Sequence, residues 1–259
     1  MGFSMLAFDD EAHKIVLSAD GSYTAYSSEY NEHYHSTKDG ALNESLFKHI
    51  IPAFKLKQNQ KELNILDICF GLGFNTLATI YYAKKIGYRG EINIYSPELD
   101  KALVSSLVNF IYPKEFDEFK DIIGVLSKNG IYKDKNLNIE IFFGDAREYI
   151  KKLPPKIIDI VYQDAFSSSV NPKLWSLQYF MDIENLLKND GILTTYSTAL
   201  PVRLALYENG FKVYLNKGDN YRNATIASLS KLDDFLEVEI EHKKRCNPNT
   251  KAISDNDIV

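Results

Sequence analysis

The chain has 259 residues, of which 45% are hydrophobic and 25% charged, as in a folded globular protein. Its formal net charge of −5 argues against a protein that binds nucleic acid over its whole surface, although a local basic face is compatible with it. Cys69 and Cys246 are far apart and imply no disulfide framework. Residues 1–11 lack the pattern of a secretory signal, and no stretch approaches the ~20 apolar residues that cross a bilayer. We therefore expect a cytoplasmic protein with no membrane partner.

The first 60 residues differ in character from the rest of the chain. Residues 14–18 and 22–26 flank Asp20-Gly21, a dipeptide typical of tight hairpin turns, and they predict a β-hairpin. A polar and aromatic segment, residues 26–36, comes next. Apolar spacing then predicts a helix over about residues 42–51. We expect this part of the chain to form a hairpin and a lid.

Two histidines in the aromatic segment, His33 and His35, suggest a metal site only weakly. Zinc sites take at least three protein ligands, and no third ligand is near this pair in sequence. We therefore expect no metal.

The stretch 64–75, which reads Asn-Ile-Leu-Asp-Ile-Cys-Phe-Gly-Leu-Gly-Phe-Asn, organises the rest of the chain. Its apolar run is typical of a parallel strand that is covered on both faces. Gly71 and Gly73 allow a sharp turn and a close approach of the backbone to a ligand. Helical spacing begins at Asn75, a candidate N-cap. The stretch therefore predicts a strand, a turn and a helix whose first N–H groups face a nucleotide-like ligand.

The same stretch discriminates between nucleotide cofactors. A dinucleotide fingerprint needs a third glycine where this chain has Thr76. A phosphate loop needs a lysine shortly after the glycines, and this chain has none there. An acidic residue just before the glycines is unfavourable beside a pyrophosphate but suits an ammonium or sulfonium charge. We therefore predict S-adenosylmethionine as the cofactor; a turn that binds no ligand is the alternative. The residues predicted to bind it here are Asp67, Phe70, Gly71, Gly73 and Asn75.

Strands and helices alternate beyond this point. Strands are predicted at residues 92–96, 139–143, 157–162 and 191–197, with a closing pair at 211–215 and 224–228. Parallel units closed by a hairpin describe an α/β fold, the Rossmann-like methyltransferase fold, with a seven-stranded, mostly parallel sheet and an N-terminal β-hairpin extension. One more strand is expected within residues 235–240, followed by a loose tail from residue 243. The predicted division is a hairpin and lid at 1–60, a methyltransferase domain at 61–230 and a C-terminal extension or tail at 231–259.

Acidic residues follow three of the predicted strands. Ligands of open α/β sheets bind beyond the carboxyl ends of the strands, so Glu98, Asp145 and Asp164 should face one crevice. Glu98 is the candidate ligand of the ribose hydroxyls, with a solvated charge at a helix start as the alternative. Asp145 and the next residue, Ala146, are also predicted to bind the cofactor. Asp145 is either a ligand of the adenine amino group or a helix N-cap.

Four blocks of sequence resemble the methyltransferase domain of the MnmC family. They are residues 70–75, residues 143–145, Asp164-Ala-Phe-Ser together with Asn171-Pro-Lys-Leu-Trp175, and residues 191–199. The similarity extends from about residue 27 to residue 228. It implies that S-adenosylmethionine methylates the aminomethyl group of a modified wobble uridine in tRNA, which gives 5-methylaminomethyl-(2-thio)uridine. Many members carry an FAD-dependent oxidase domain after this one; here we expect a stand-alone monomer and a separate oxidase that acts upstream.

The resemblance also implies roles for residues around the substrate. Asp164 is expected to hydrogen-bond the acceptor amine and to take up its proton. Phe166 and Trp175 are candidates to stack on the base, and Tyr30 and Tyr34 to line a lid, with plain packing as the favoured alternative for each. Asn171 belongs to the same family block and is assigned to the substrate site.

Three cations are candidates to contact phosphate, namely Arg203, Lys217 and Arg222. Family members often read Lys-Gly-Phe-Gly-Arg-Lys-Arg near the carboxyl terminus, whereas residues 217–223 read Lys-Gly-Asp-Asn-Tyr-Arg-Asn here. This departure removes positive charge from the expected tRNA-binding surface. Two other functions therefore stay open: a methyltransferase for a small-molecule amine or another RNA, and a non-catalytic S-adenosylmethionine-binding protein.

Overall fold

The computed structural model describes Phe8 and residues 11–219 and 221–258. The sequence of residues 1–11 was interpreted above as lacking a secretory signal. Within that segment the structure describes Phe8 and Glu11, and the other residues lie outside the described ranges. The strands are β1 (His13–Leu17), β2 (Tyr23–Ser27), β3 (Glu32–His33), β4 (Glu62–Ile68), β5 (Glu91–Glu98), β6 (Ile131–Lys133), β7 (Leu137–Phe143), β8 (Ile158–Gln163), β9 (Leu187–Thr195), β10 (Lys212–Asn216), β11 (Ala224–Ser228) and β12 (Leu236–Glu237).

The helices cover both faces of the larger sheet. They are α1 (Ala41–Glu44), α2 (Ile51–Lys57), α3 (Phe74–Lys85), α4 (Lys101–Ser106), α5 (Lys120–Asn129), α6 (Ala146–Ile150), α7 (Leu177–Leu186), α8 (Leu200–Glu208) and α9 (Ile240–Cys246). A π-helix, Ser45–Ile50, joins α1 to α2, and 3-10 turns lie at Leu107–Asn109, Lys114–Phe119, Pro172–Leu174 and Asp255–Asp257. No helix in the described part of the chain is both long enough and apolar enough to span a bilayer.

The larger sheet has the strand order β12-β10-β11-β9-β8-β4-β5-β7-β6. The five central strands, β9 to β7 in that order, pair in parallel, whereas β10 and β11 pair antiparallel with their neighbours. The α/β fold and its seven predicted strands are thus confirmed. Within the described residues the sheet has nine strands: the edge strand β12 confirms the further strand expected within residues 235–240, and the short edge strand β6 was not predicted.

Strand β4 explains why the centre of the sheet reads as an apolar run. Leu63 and Ile65 belong to the core on one face, and Leu66 and Ile68 to the core on the other, so every one of them is fully buried. Covering a parallel strand on both faces removes the polar alternation that a half-exposed strand would show. The chain passes from β4 to β5 on one side and returns to β8 on the other, which places the topological switch point between β4 and β8.

The amino-terminal part forms its own small sheet. The predicted hairpin is confirmed by the antiparallel pair β1 and β2, and β3 adds a third strand. The helix expected over residues 42–51 is longer than predicted: α1, the π-helix and α2 run on continuously to Lys57.

The expectation of a loose tail from residue 243 is wrong for the described residues, which end at 258. Helix α9 follows directly on β12, and the backbone N–H of Leu177 donates to the carbonyl of Ile253. The guanidinium of Arg147 binds both carboxylate oxygens of Asp255 at 2.9 and 2.6 Å. Buried apolar contacts of Ile240 add to these bonds, and together they hold the carboxyl-terminal segment on α7 and α8.

Candidate functional site

A cavity of about 700 Å³ opens at the carboxyl ends of the central strands, at the switch point. Its size is within the range typical of sites for small molecules and cofactors. The sequence-predicted residues that line it are Tyr30, Tyr34, Phe70, Gly71, Asn75, Glu98, Asp145, Ala146, Asp164, Phe166, Asn171 and Arg222. The fold thus brings together residues from the lid, from the turn after β4 and from the ends of β5, β7 and β8.

The turn between β4 and α3 has an unusual backbone. Cys69, Gly71 and Gly73 all have positive φ angles, of 67°, 53° and 75°. A Cβ atom on Gly71 would lie 3.2 Å from Cδ1 of Tyr34, so a side chain there would press on the lid. Helix α3 begins at Phe74 with Gly73 as its N-cap, which corrects the prediction that Asn75 caps it. The Asn75 side chain instead donates from Nδ2 to Asp164 Oδ2 at 2.8 Å.

Asp67 does not line the cavity, contrary to the prediction that it faces the ligand's positive charge. It is 1% exposed, and burial raises its pKa to about 7 despite hydrogen bonds from the Thr76 hydroxyl at 2.8 Å and from Asn75 at 3.5 Å. Its position therefore fits a role in orienting the first turn of α3. Gly73 also lies behind the cavity wall, where a Cβ atom would come within 2.9 Å of the Phe70 ring.

The carboxylates after β5 and β7 do face the cavity. Glu98 accepts hydrogen bonds from the N–H groups of Gly71 at 2.7 Å and Asp100 at 2.8 Å, and burial raises its pKa. Oδ1 of Asp145 accepts from the N–H groups of Arg147 and Glu148, which makes Asp145 the N-cap of α6. Its Oδ2 has no hydrogen-bond partner among the described residues. One carboxylate can therefore cap the helix and contact a ligand at once.

Asp164 lies at the end of β8, between the two halves of the cavity. Burial alone would raise its pKa, but the neighbouring His49 and His35 and the hydrogen bond from Asn75 outweigh that effect and lower the pKa below its ordinary value. Asp164 is therefore ionised at neutral pH. An ionised carboxylate facing a ligand site is a suitable acceptor for an N–H hydrogen bond.

His49 is a site residue that the sequence reasoning missed. Its ring is fully buried, with Nε2 3.5 Å from Asp164 Oδ1 and Nδ1 3.0 Å from the Thr194 hydroxyl. It lies on the π-helix between α1 and α2, a geometry found often at functional sites. The helix was identified from its apolar spacing, and that pattern gives no sign that one polar residue points inward.

The aromatic side chains of the predicted lid line one side of the cavity. The rings of Tyr30 and Phe166 stack with centroids 4.5 Å apart at 19°, and Tyr34 lies 5.0 Å from the same phenylalanine. The carboxylate of Glu32 accepts hydrogen bonds from the N–H and hydroxyl of Ser167, which ties the lid to the loop after β8. The lid is thus fastened by both aromatic and polar contacts.

Trp175 is not available for stacking on a base, and plain packing, the alternative favoured from sequence, describes its position. Its indole is fully buried and donates from Nε1 to the carbonyl oxygen of Phe166 at 2.8 Å. Trp175 therefore supports the loop that carries Phe166 from behind.

The three candidate phosphate contacts have different environments. Arg222 lines the cavity and donates to Asp39 at 3.1 Å and Ser36 at 2.8 Å. Arg203 is 6% exposed and donates to the Thr225 hydroxyl, so its predicted phosphate contact is corrected to an internal one. Lys217 is exposed and lies outside the cavity lining, and its phosphate contact stays a prediction.

The residues present fit S-adenosylmethionine. Gly71 of the glycine turn carries no side chain into the cavity, and the carboxylates of Glu98 and Asp145, which line it, can accept hydrogen bonds from hydroxyl and amino groups of a nucleoside. Within the described ranges, no group of three His, Cys, Asp or Glu side chains is placed to hold a metal ion. His35, one of the two histidines considered for a metal, has its Nδ1 3.2 Å from the Thr24 hydroxyl.

Comparison with known proteins gives three findings. Residues 119–230 match the family described as S-adenosyl-L-methionine-dependent methyltransferase. The crystal structure of MnmC2 from Aquifex aeolicus superposes with a TM-score of 0.81 at 30% identity, covering 94% of this chain and 79% of that one. An uncharacterized protein of Methanocaldococcus jannaschii is 34% identical over 206 residues, 78% of this chain and 55% of that protein.

The bifunctional MnmC protein of Leptospira interrogans, named for tRNA 5-methylaminomethyl-2-thiouridine biosynthesis, is 27% identical over 252 residues. The match covers 89% of this chain but 37% of that protein. The chain thus spans between about a third and just over half of the length of these curated relatives. With the fold and the glycine turn, the family match establishes an S-adenosylmethionine-dependent methyltransferase.

Proposed function

The chain belongs to the MnmC2 family of S-adenosylmethionine-dependent methyltransferases, and on that premise we propose that it methylates the aminomethyl group of a modified wobble uridine in tRNA. The product would be 5-methylaminomethyl-(2-thio)uridine. The observation that carries this proposal is the position of Asp164, an ionised carboxylate that lines the acceptor side of a methyltransferase cavity. A primary amine needs such an acceptor, because it must lose a proton in the course of N-methylation.

The cofactor half of the cavity is assigned to the glycine turn, Glu98 and Asp145. Bound S-adenosylmethionine supplies the methyl group. In this proposal Glu98 accepts hydrogen bonds from ribose hydroxyls, and the free Oδ2 of Asp145 accepts one from the adenine amino group; the position of both carboxylates in the cavity lining supports these roles.

The acceptor half is assigned to Asp164 and the aromatic lid. Asp164 hydrogen-bonds the amine and takes up its proton, while Asn75 holds its Oδ2 atom. Tyr30 and Phe166, which stack on each other in this structure, offer flat rings of the kind on which unpaired RNA bases stack. Asn171 lines the same side of the cavity. Closure of the lid would keep water from the reacting groups.

The surface for tRNA is proposed around Arg222 and Lys217. Arg222 lies at the cavity rim, and Lys217 precedes it in the same loop after β10. Their positive charges are placed to meet phosphates of an RNA whose base enters the cavity. We propose that the protein acts as a cytoplasmic monomer after a separate oxidase has exposed the amine. Residues 1–60 would serve as hairpin and lid, 61–230 as the methyltransferase domain and 231–259 as the extension.

Methyl transfer by the wild-type protein and by Asp164→Asn tests this proposal. Each is incubated with labelled S-adenosylmethionine and total tRNA from cells that lack the protein. Wild type should label the tRNA, and the variant should lose at least about a hundredfold in rate while its cofactor affinity stays within about twofold. Full turnover by Asp164→Asn would contradict the assigned role. Labelling of a small amine or of another RNA, with tRNA left unlabelled, would contradict the proposed substrate.

A further inference from the structure

Asp164 is held from two sides by nitrogen atoms. Its Oδ2 accepts a hydrogen bond from Asn75, and its Oδ1 lies 3.5 Å from Nε2 of His49. The His49 ring is 0% exposed, and Nε2 makes no hydrogen bond to the described residues, so this oxygen of Asp164 is the ion-pair contact that it has. Buried polar nitrogens are nearly always paired, so the carboxylate is the natural partner of this one.

The second ring nitrogen restricts where the hydrogen sits. Nδ1 of His49 lies 3.0 Å from the hydroxyl of Thr194, which fixes the plane of the ring. A lone pair on Nε2 would face the ionised oxygen of Asp164 and repel it. The arrangement is favourable only when Nε2 carries a hydrogen and donates it to the carboxylate.

We propose that His49 is a positioning residue for the methyl transfer, an inference that rests on the proposed function. Its Nε2–H holds Oδ1 of Asp164, keeps the carboxylate ionised and turns it toward the acceptor amine. In the step that this supports, the lone pair of the amine would form an N–C bond to the methyl group that the cofactor supplies, and the bond that held this methyl group would break. An N–H bond of the nitrogen would then break with its electron pair left on nitrogen, and the proton would form an O–H bond on Asp164. His49 itself does not touch the substrate, because its ring is enclosed by protein.

The helix that carries His49 is fixed by an internal ion cluster. Lys48 is 2% exposed and donates to Asp39 at 2.6 Å and to Glu44 at 2.7 Å. This cluster anchors the π-helix, Ser45–Ile50, against the segment before α1. Because His49 is the next residue on this helix, the direction of its side chain depends on the contacts of Lys48, which lie outside the catalytic centre.

Several other groups face this pair and belong in any interpretation of its pH dependence. His35 on the segment before α1 and Asp67 on β4 both interact electrostatically with His49 and Asp164. The ring of Tyr162 on β8 lies edge-on to His49, with centroids 5.8 Å apart. These groups are unchanged in the variants below, so a difference between the variants reports on His49.

Two substitutions distinguish the contributions of the two ring nitrogens of His49. Glutamine in His49→Gln places an amide N–H near the position of Nε2, whereas asparagine in His49→Asn reaches only the position of Nδ1. We expect His49→Asn to lower kcat at least about tenfold and to move the acidic limb of the kcat/KM profile to higher pH, since Asp164 loses a donor that favours its ionised form. His49→Gln should restore most of kcat. Wild-type kcat and an unshifted profile in His49→Asn would overturn the proposal.

A measurement without turnover keeps the two proposals separable. Nitrogen NMR of imidazole-labelled protein should detect hydrogen on Nε2 of His49, and Asp164→Asn should move that resonance while the exposed His242 stays unchanged as the control. The His49 proposal would be overturned if Nε2 carried no hydrogen, or if its resonance did not change in Asp164→Asn. If the spectra agree but wild type labels no tRNA, the proposed function has failed and the contact between His49 and Asp164 stands.

Discussion

The burial of Asp67 predicts a specific dependence of stability on pH. Its folded pKa is raised from 3.8 to about 7, chiefly because the carboxylate is desolvated inside the protein. Between these two values the unfolded chain has lost the proton and the folded chain still binds it, so the free energy of unfolding falls as pH rises. A shift of about three units corresponds to about 4 kcal/mol, which is lost across the window from about pH 4 to pH 7.

Asp67→Asn removes this titration without removing the acceptor for the Thr76 hydroxyl. Urea unfolding of wild type and variant at half-unit steps from pH 4.5 to 8 measures the difference in their unfolding free energies. That difference should change in favour of the variant by up to about 4 kcal/mol as pH rises to 7 and then level off. Asp121→Asn, at an exposed position, is the matched control for the loss of a surface carboxylate. A parallel profile for Asp67→Asn would refute the reasoning.

Three further predictions concern the ion cluster, the cofactor and the acceptor loop. Lys48→Met leaves the buried Glu44 without its cation and Asp39 with Arg222 alone, and it should cost about 3–5 kcal/mol in urea unfolding. Lys156→Met at a more exposed pair should cost under about 1 kcal/mol, and equal losses would contradict the difference in burial. Glu98→Ala should weaken S-adenosylmethionine binding at least about tenfold in calorimetry, since it removes both carboxylate oxygens that can accept hydrogen bonds. Unchanged affinity would exclude Glu98 as a ribose ligand. Trp175→Phe should lower kcat but leave cofactor affinity intact, because it removes the hydrogen bond from the indole to the carbonyl oxygen of Phe166. A weakened cofactor affinity with unchanged kcat would contradict this prediction.

Much of the fold was accessible from sequence because the central strands carry a strong signal. Leu66 and Ile68 lie in a continuous apolar run, which is the pattern of a strand covered on both faces. The edge strand β6 has only three residues and a single pairing partner, so neither periodicity nor composition marked it. The carboxyl-terminal segment looked loose because its attachment depends on Arg147, more than a hundred residues away from Asp255.

The site was predictable where function depends on a strand end and less so where it depends on side-chain direction. Glu98 and Asp164 follow strands, and parallel strands end at the same edge of the sheet, so their meeting in one cavity followed from the element order. Trp175 and Arg203 belong to segments near the cavity, but their side chains turn inward, which sequence spacing alone does not specify. His49 escaped notice since its direction depends on the widened turn of a π-helix.

Identification of the methylated nucleoside tests the central claim most directly. Wild-type protein is incubated with methyl-labelled S-adenosylmethionine and tRNA from cells that lack the protein; the tRNA is then digested and its nucleosides are separated by mass. The account predicts that the label appears in 5-methylaminomethyl-uridine or its 2-thio derivative. Label in any other nucleoside, or no label while calorimetry shows cofactor binding, would contradict it.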